Sequence, residues 1–171
     1  MTAKDLSVTE YNPYYKTYID KAGTLDLENG LKTNFEAVDA FLSNLPNDKL
    51  EYRYEEGKWT IKEVIQHIID TERVFTYRAL RIARKDRTPL PGFDQDEFAL
   101  NCDANRRTLK SLMNEYKAVR MATIALYDSF TEEMLMEIGT ASNSALSVRA
   151  VAFITIGHEN HHCKVIKERY L

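Results

Sequence analysis

Cysteine is nearly absent from this 171-residue chain. Cys102 and Cys163 are its only two, too few for a disulfide framework, so they read as reduced thiols in a cytoplasmic setting. Six glycines and four prolines are sparse punctuation for an all-β chain but normal for long helices. A basic excess is also missing: 23 Lys and Arg stand against 26 Asp and Glu, a net charge of −3. Nucleic-acid binding would need a basic face, so no such partner is expected. No run approaches 18 consecutive apolar residues, so no membrane span is expected. The start, Met1-Thr-Ala-Lys-Asp-Leu-Ser-Val, lacks the apolar stretch of a secretory signal. There is no Gly-rich phosphate loop and no Gly-x-Ser-x-Gly elbow. Cys163 adjoins His162, but helical neighbours point about 100° apart and do not form a Cys-His nucleophile pair.

What is present suits one all-α domain spanning residues 1–171, long enough to bury an ordinary core. Four segments carry helical periodicity and none alternates with period two. The first runs from about Asp26 to Leu45, with Leu31, Phe35, Val38, Leu42 and Leu45 on one stripe, and stops at Pro46-Asn47-Asp48. The second begins at Thr60, where Thr60-Ile-Lys-Glu63 has the form of a capping box, and continues to about Lys85. The third runs from about Asp103 to Phe130 through Leu109, Leu112, Tyr116, Val119, Thr123 and Leu126. Residues Thr131 to Glu137 read as a short helical turn and Gly139 to Ser147 as a loop, with Ser147 capping a fourth helix that continues almost to Leu171.

Four such helices make a four-helix bundle. Between the second and third lies Arg87–Cys102, with Pro89, Pro91 and Gly92, longer than a tight turn requires and suited to crossing the bundle or covering a pocket. Within it, Phe93-Asp-Gln-Asp-Glu-Phe98 reads as a solvated acidic loop. The basic cluster Arg78, Arg81, Arg84, Lys85 and Arg87 suits a helix C-terminus, with an anionic ligand as the sharper alternative. The first 22 residues, with Tyr11, Pro13, Tyr14, Tyr15 and Tyr18, read as an aromatic arm packed along the bundle.

All four histidines fall in two places: His67 in the second helix, and His158, His161 and His162 in the fourth. Side chains three or four apart share a helix face, so His158 with either His161 or His162 can converge on one metal ion. A stripe through Val151, Thr155, His158, His162 and Val165 favours one pairing; a stripe through Ile154, His158, His161 and Val165 favours the other. Two inward imidazoles left unpaired would cost about 1–3 kcal/mol each. A metal removes that cost and gives His67 a purpose. Glu63, Asp70 and Glu159 stand at helical spacing from these histidines, where carboxylates often orient metal ligands.

The chain resembles the DinB/YfiT-like family of metalloenzymes, in its DinB-like branch. The resemblance rests on Gly57-Lys-Trp59-Thr-Ile-Lys-Glu-Val-Ile-Gln-His67-Ile-Ile-Asp-Thr-Glu72-Arg, on Arg84-Lys-Asp86 and on Pro89-Leu-Pro91-Gly92-Phe93. It continues in Gly157-His158-Glu-Asn-His-His162-Cys-Lys-Val-Ile-Lys-Glu-Arg169-Tyr-Leu171 and in the Asn12-Pro13-Tyr14-Tyr15 arm. It implies a four-helix bundle whose divalent metal, zinc or nickel foremost and iron or copper as further options, is held by His67, His158 and His162. His161 then hydrogen-bonds or lines the pocket. It also implies a homodimer and an enzyme acting on a small-molecule substrate. That enzyme is a hydrolase or a transferase using a low-molecular-weight thiol cofactor; the alternative is a non-catalytic metal- or ligand-binding bundle. For the catalytic base, Glu159, His161 and Asp70 are the candidates.

Overall fold

The computed structural model describes residues 1–171. Its elements, in chain order, are α1 (Lys16–Ile19), α2 (Leu27–Ser43), α3 (Ile61–Ala83), α4 (Gln95–Asn101), α5 (Leu109–Asp128), α6 (Glu132–Met136), β1 (Ile138–Ala141), β2 (Ser144–Ser147) and α7 (Val148–Arg169). The four long helices, α2, α3, α5 and α7, form the bundle, with α7 packed against α2 and α3, and α5 against the same two.

Each long helix starts where a side-chain oxygen can take an orphan amide. Asp26 accepts from the Asn29 amide, Thr108 from Ser111 and Ser147 from Ala150. At Thr60 the capping box is complete: its hydroxyl accepts from the Glu63 amide, and the Glu63 carboxylate accepts from the Thr60 amide at 2.7 Å.

The apolar core is in two parts. One contains Leu31 of α2, Phe75 of α3, Ile124 of α5 and Phe153 of α7; the other contains Val38, Ile65, Leu112 and Ile166 of the same helices. Between them lies a polar layer to which every long helix contributes one buried residue: Asn34, Glu72, Arg120 and Glu159. Arg120 donates to both Glu72 oxygens at 2.8 and 2.9 Å and lies 2.7 Å from Glu159 Oε1. Glu159 also accepts from the Tyr116 hydroxyl at 2.7 Å and the Asn34 amide at 2.8 Å. Periodicity places these residues inward, but only packing brings them into one cluster.

Several local readings are corrected. The third helix begins at Leu109, not near Asp103, because Asp103 has left-handed backbone (φ 51°) and Ala104–Arg106 form a 3-10 turn. The acidic segment Phe93–Phe98 is largely solvent-exposed, as expected, but from Gln95 it is helix rather than loop: the Asp94 carboxylate accepts from the amides of Asp96 and Glu97 and starts α4. Residues Gly139–Ser147 are not a loop either. They belong to an antiparallel hairpin in which Ile138 faces Ser147 and Ala141 faces Ser144. Its two turn residues, Ser142 (φ 49°) and Asn143 (φ 60°), take the left-handed conformation that suits a two-residue hairpin turn.

Three of the five residues of the basic cluster are engaged by the fold, while Arg84 and Lys85 stay exposed. Arg78 donates to Pro91 O and Ser142 Oγ, Arg81 pairs with Asp86, and Arg87 donates to Ile138 O and Glu137. The turn at Glu132–Met136 is helical, as its spacing suggests. The aromatic arm does lie along the bundle, with α1 packed on α7 and Tyr11 buried.

Candidate metal centre

His67 sits on the second turn of α3, and His158 and His162 lie one turn apart on α7. Because these helices pack face to face, the three rings meet. His67 Nε2 lies 3.0 Å from His158 Nε2, and His162 Nε2 lies 3.1 Å from the same atom. The three candidate ligand atoms fall within 4.8 Å of one another. Each ring nitrogen carries either one hydrogen or one in-plane lone pair, so His158 Nε2 cannot make two good hydrogen bonds at once. A cation accepting three lone pairs satisfies this geometry; a chain of hydrogen bonds does not. An all-imidazole set suits zinc, nickel, copper or iron.

The surroundings keep these rings neutral. Burial, and then the charge of His161, lowers the His67 pKa to about 4. His158 is held well below the usual histidine range by burial, then by His162, His67 and His161. His162 is held there by burial, then by His67 and His161. Lone pairs are therefore available at neutral pH. His67 Nδ1 faces Thr71 Oγ1 at 3.4 Å, one turn on, and the Trp59 ring covers His67 at a centroid distance of 4.7 Å. Neither Thr71 nor Trp59 stands out from sequence spacing alone.

The structure brings His67, His158 and His162 together and leaves His161 aside. His161 rests on the Tyr18 ring at 5.4 Å. With His162 it lines a cavity of about 740 Å³ whose walls include Trp59, Tyr54, Val165, Leu100 and Glu97. Thus α4, in the long connection, forms one wall of the space beside the histidines. A second cavity of about 510 Å³, bordered by Met1, Leu27 and Tyr127, has no histidine on it.

The three carboxylates that sequence spacing places near the histidines all bond elsewhere. Glu63 serves the capping box and takes Arg53 and Asn105. Asp70 accepts from Gln66 at 2.9 Å. Glu159 points into the polar layer. Burial pushes the Cys163 thiol up to about 12, which disfavours the thiolate.

The sequence profile of the DinB superfamily matches residues 31–166. The chain belongs to that superfamily. Among curated relatives, a protein of Oceanobacillus iheyensis named "putative metal-dependent hydrolase" is 28% identical over 139 residues, covering 80% of this chain and 79% of the relative. A protein of the same description from Geobacillus thermodenitrificans is 20% identical over 129 residues, covering 74% and 72%. Among solved structures, YfiT from Bacillus subtilis, described as a probable metal-dependent hydrolase with an unusual four-helix bundle topology, superposes with a TM-score of 0.70. That match covers 94% of this chain and 92% of YfiT at 16% identity. The DinB-superfamily bundle is thus the fold of this chain, and no helix in it is long and apolar enough to cross a membrane.

Proposed function

We propose that this protein is a divalent-metal-dependent hydrolase of a small-molecule substrate, with His67, His158 and His162 as the protein's ligands. The observation that carries the reading is the approach of two imidazole nitrogens to within about 3 Å of a third. When bound, a divalent cation supplies Lewis acidity and the means of generating a nucleophile at neutral pH. The chain's own residues supply the rest. Burial keeps the three imidazoles unprotonated, and the Thr71 hydroxyl, 3.4 Å from His67 Nδ1, is able to accept from Nδ1–H when the Nε2 lone pair faces the other rings. The cavity beside His162 takes the substrate, its volume within the range of small-molecule sites. Of the candidate proton carriers, Glu159 and Asp70 are engaged elsewhere, whereas His161 stands on the cavity wall. His161 is therefore assigned the movement of the proton.

Transfer of a low-molecular-weight thiol is the second reading, favoured by a cavity of about 740 Å³, which has room for a second reactant. Elemental analysis and turnover of an activated ester test both assignments. Wild type should hold stoichiometric metal, and His67→Ala, His158→Ala and His162→Ala should lose it. His161→Ala should keep the metal and lose turnover. Stoichiometric metal in His67→Ala and His158→Ala would overturn the site. Conjugation of a thiol to an electrophile without ester hydrolysis would select the second reading.

A further inference from the structure

Helical spacing makes His161 and His162 equal candidates to join His158, yet only His162 reaches the cluster. We infer that the N-terminal arm makes this choice, and that Tyr18 is a positioning residue of the histidine centre. The inference rests on the metal reading above.

The Tyr18 ring stands edge-on to both His158 and His161, at centroid distances of 5.3 and 5.4 Å and interplanar angles of 73° and 75°. One aromatic ring thereby braces the central imidazole and holds His161 on the arm's side. His162 is left to lie 4.8 Å, ring to ring, from His67. Phe75, itself packed against Tyr15 of the arm, meets His158 at 6.3 Å.

The arm is fastened to α7 along much of that helix. Near its start, Glu10 accepts from Arg149 at 2.8 and 2.6 Å and from the Ser147 hydroxyl at 2.8 Å. One residue before His158, the arm's backbone lies directly on Gly157, where a Cβ would fall 1.7 Å from the Tyr18 carbonyl oxygen. Further on, Asn160 donates to the Lys21 carbonyl at 3.0 Å. Gly157 is thus required by the close approach that seats Tyr18 between the two histidines. Tyr18 and the other arm residues lie outside the segment, 31–166, that matches the superfamily profile.

Cobalt(II) titration of the full chain, followed by its visible absorption and by melting of the metal-free protein, tests the inference. Wild type and Tyr18→Phe should bind cobalt alike, because the ring and not the hydroxyl does the bracing. Tyr18→Ala should bind about ten-fold more weakly, the scale of one lost edge-to-face pair, with shifted visible bands. Removing His162 should cost less affinity in Tyr18→Ala than in wild type, because the freed His161 substitutes for it. Gly157→Ala, which displaces the arm without altering a ring, should shift the bands in the same direction. If Tyr18→Ala does not fold, Tyr18→Leu is read by the same criteria. A lowered melting temperature with unchanged cobalt affinity and spectrum would overturn the inference and leave Tyr18 a packing residue. Wild type that takes up no cobalt would overturn the metal reading itself, and this inference with it.

Discussion

Replacing Arg120 by Met should be among the most damaging single changes in the bundle. The Arg120 guanidinium is fully buried, and its partners Glu72 and Glu159 are 2% and 1% exposed. It forks onto Glu72, touches Glu159 and reaches the Leu31 carbonyl at 3.3 Å, so one side chain joins α5 to α3, α7 and α2. Met fills much of the volume but leaves two carboxylates facing each other without a cation. Breaking a buried pair by removing one partner costs about 3–5 kcal/mol. For a chain of this size each kcal/mol lowers the melting temperature by about 2–4 °C, so a drop of roughly 6–20 °C is expected. Arg120→Lys keeps a charge but not the fork and should lose less. The deficit should also shrink on acidification. Burial already raises the Glu159 pKa against the lowering pull of Arg120, so without that cation the variant regains stability as Glu159 takes up a proton below its raised value. Urea unfolding at several pH values measures both effects. A loss under about 1 kcal/mol at neutral pH would refute the reasoning, because it would mean that the two carboxylates do not need the guanidinium.

Two further outcomes are expected. Gly139→Ala would place a Cβ 2.6 Å from Ile82 Cγ1, and Ile82 is 1% exposed with nowhere to retreat; a loss of about 1–3 kcal/mol should appear in urea unfolding, and unchanged stability would mean that the hairpin lifts freely. Metal-free protein should lose stability as pH falls from about 6.5 towards 4. The unfolded chain takes up protons on its histidines in that window while the folded His67, with its pKa at about 4, does not. At roughly 1.4 kcal/mol per pKa unit, His67 alone contributes about 3 kcal/mol of that slope. His67→Phe should make it shallower, with His158 and His162 carrying the remainder, and a flat wild-type profile would refute the burial of these imidazoles.

The bundle was legible because helix formation leaves its marks locally. Leu31, Val38 and Leu42 recur at helical spacing, Thr60 and Glu63 form their box within one turn, and Ser147 caps α7 from the adjacent position. Spacing also put His158 on one helix face with either His161 or His162, without choosing between them; only the family resemblance named His162. The hairpin was not legible, since Ser142-Asn143 lacks the Asn-Gly signal and its strands are four residues each. Nor was α4, whose seven residues rest on a single Asp94 cap inside an acidic run.

Tertiary contact decided the rest. The polar layer of Asn34, Glu72, Arg120 and Glu159 joins residues from four helices, and the Glu159 carboxylate that spacing offers to His162 is drawn into that layer instead. The same holds for His161 and His162. They are neighbours on one helix with equal claims by periodicity, and a tyrosine some 140 positions away in the chain lies against one of them while α3 presents His67 to the other. Periodicity specifies which face of a helix is buried. Which atom on that face meets which partner depends on how the helices are rotated against one another, and that rotation is set by all the contacts together.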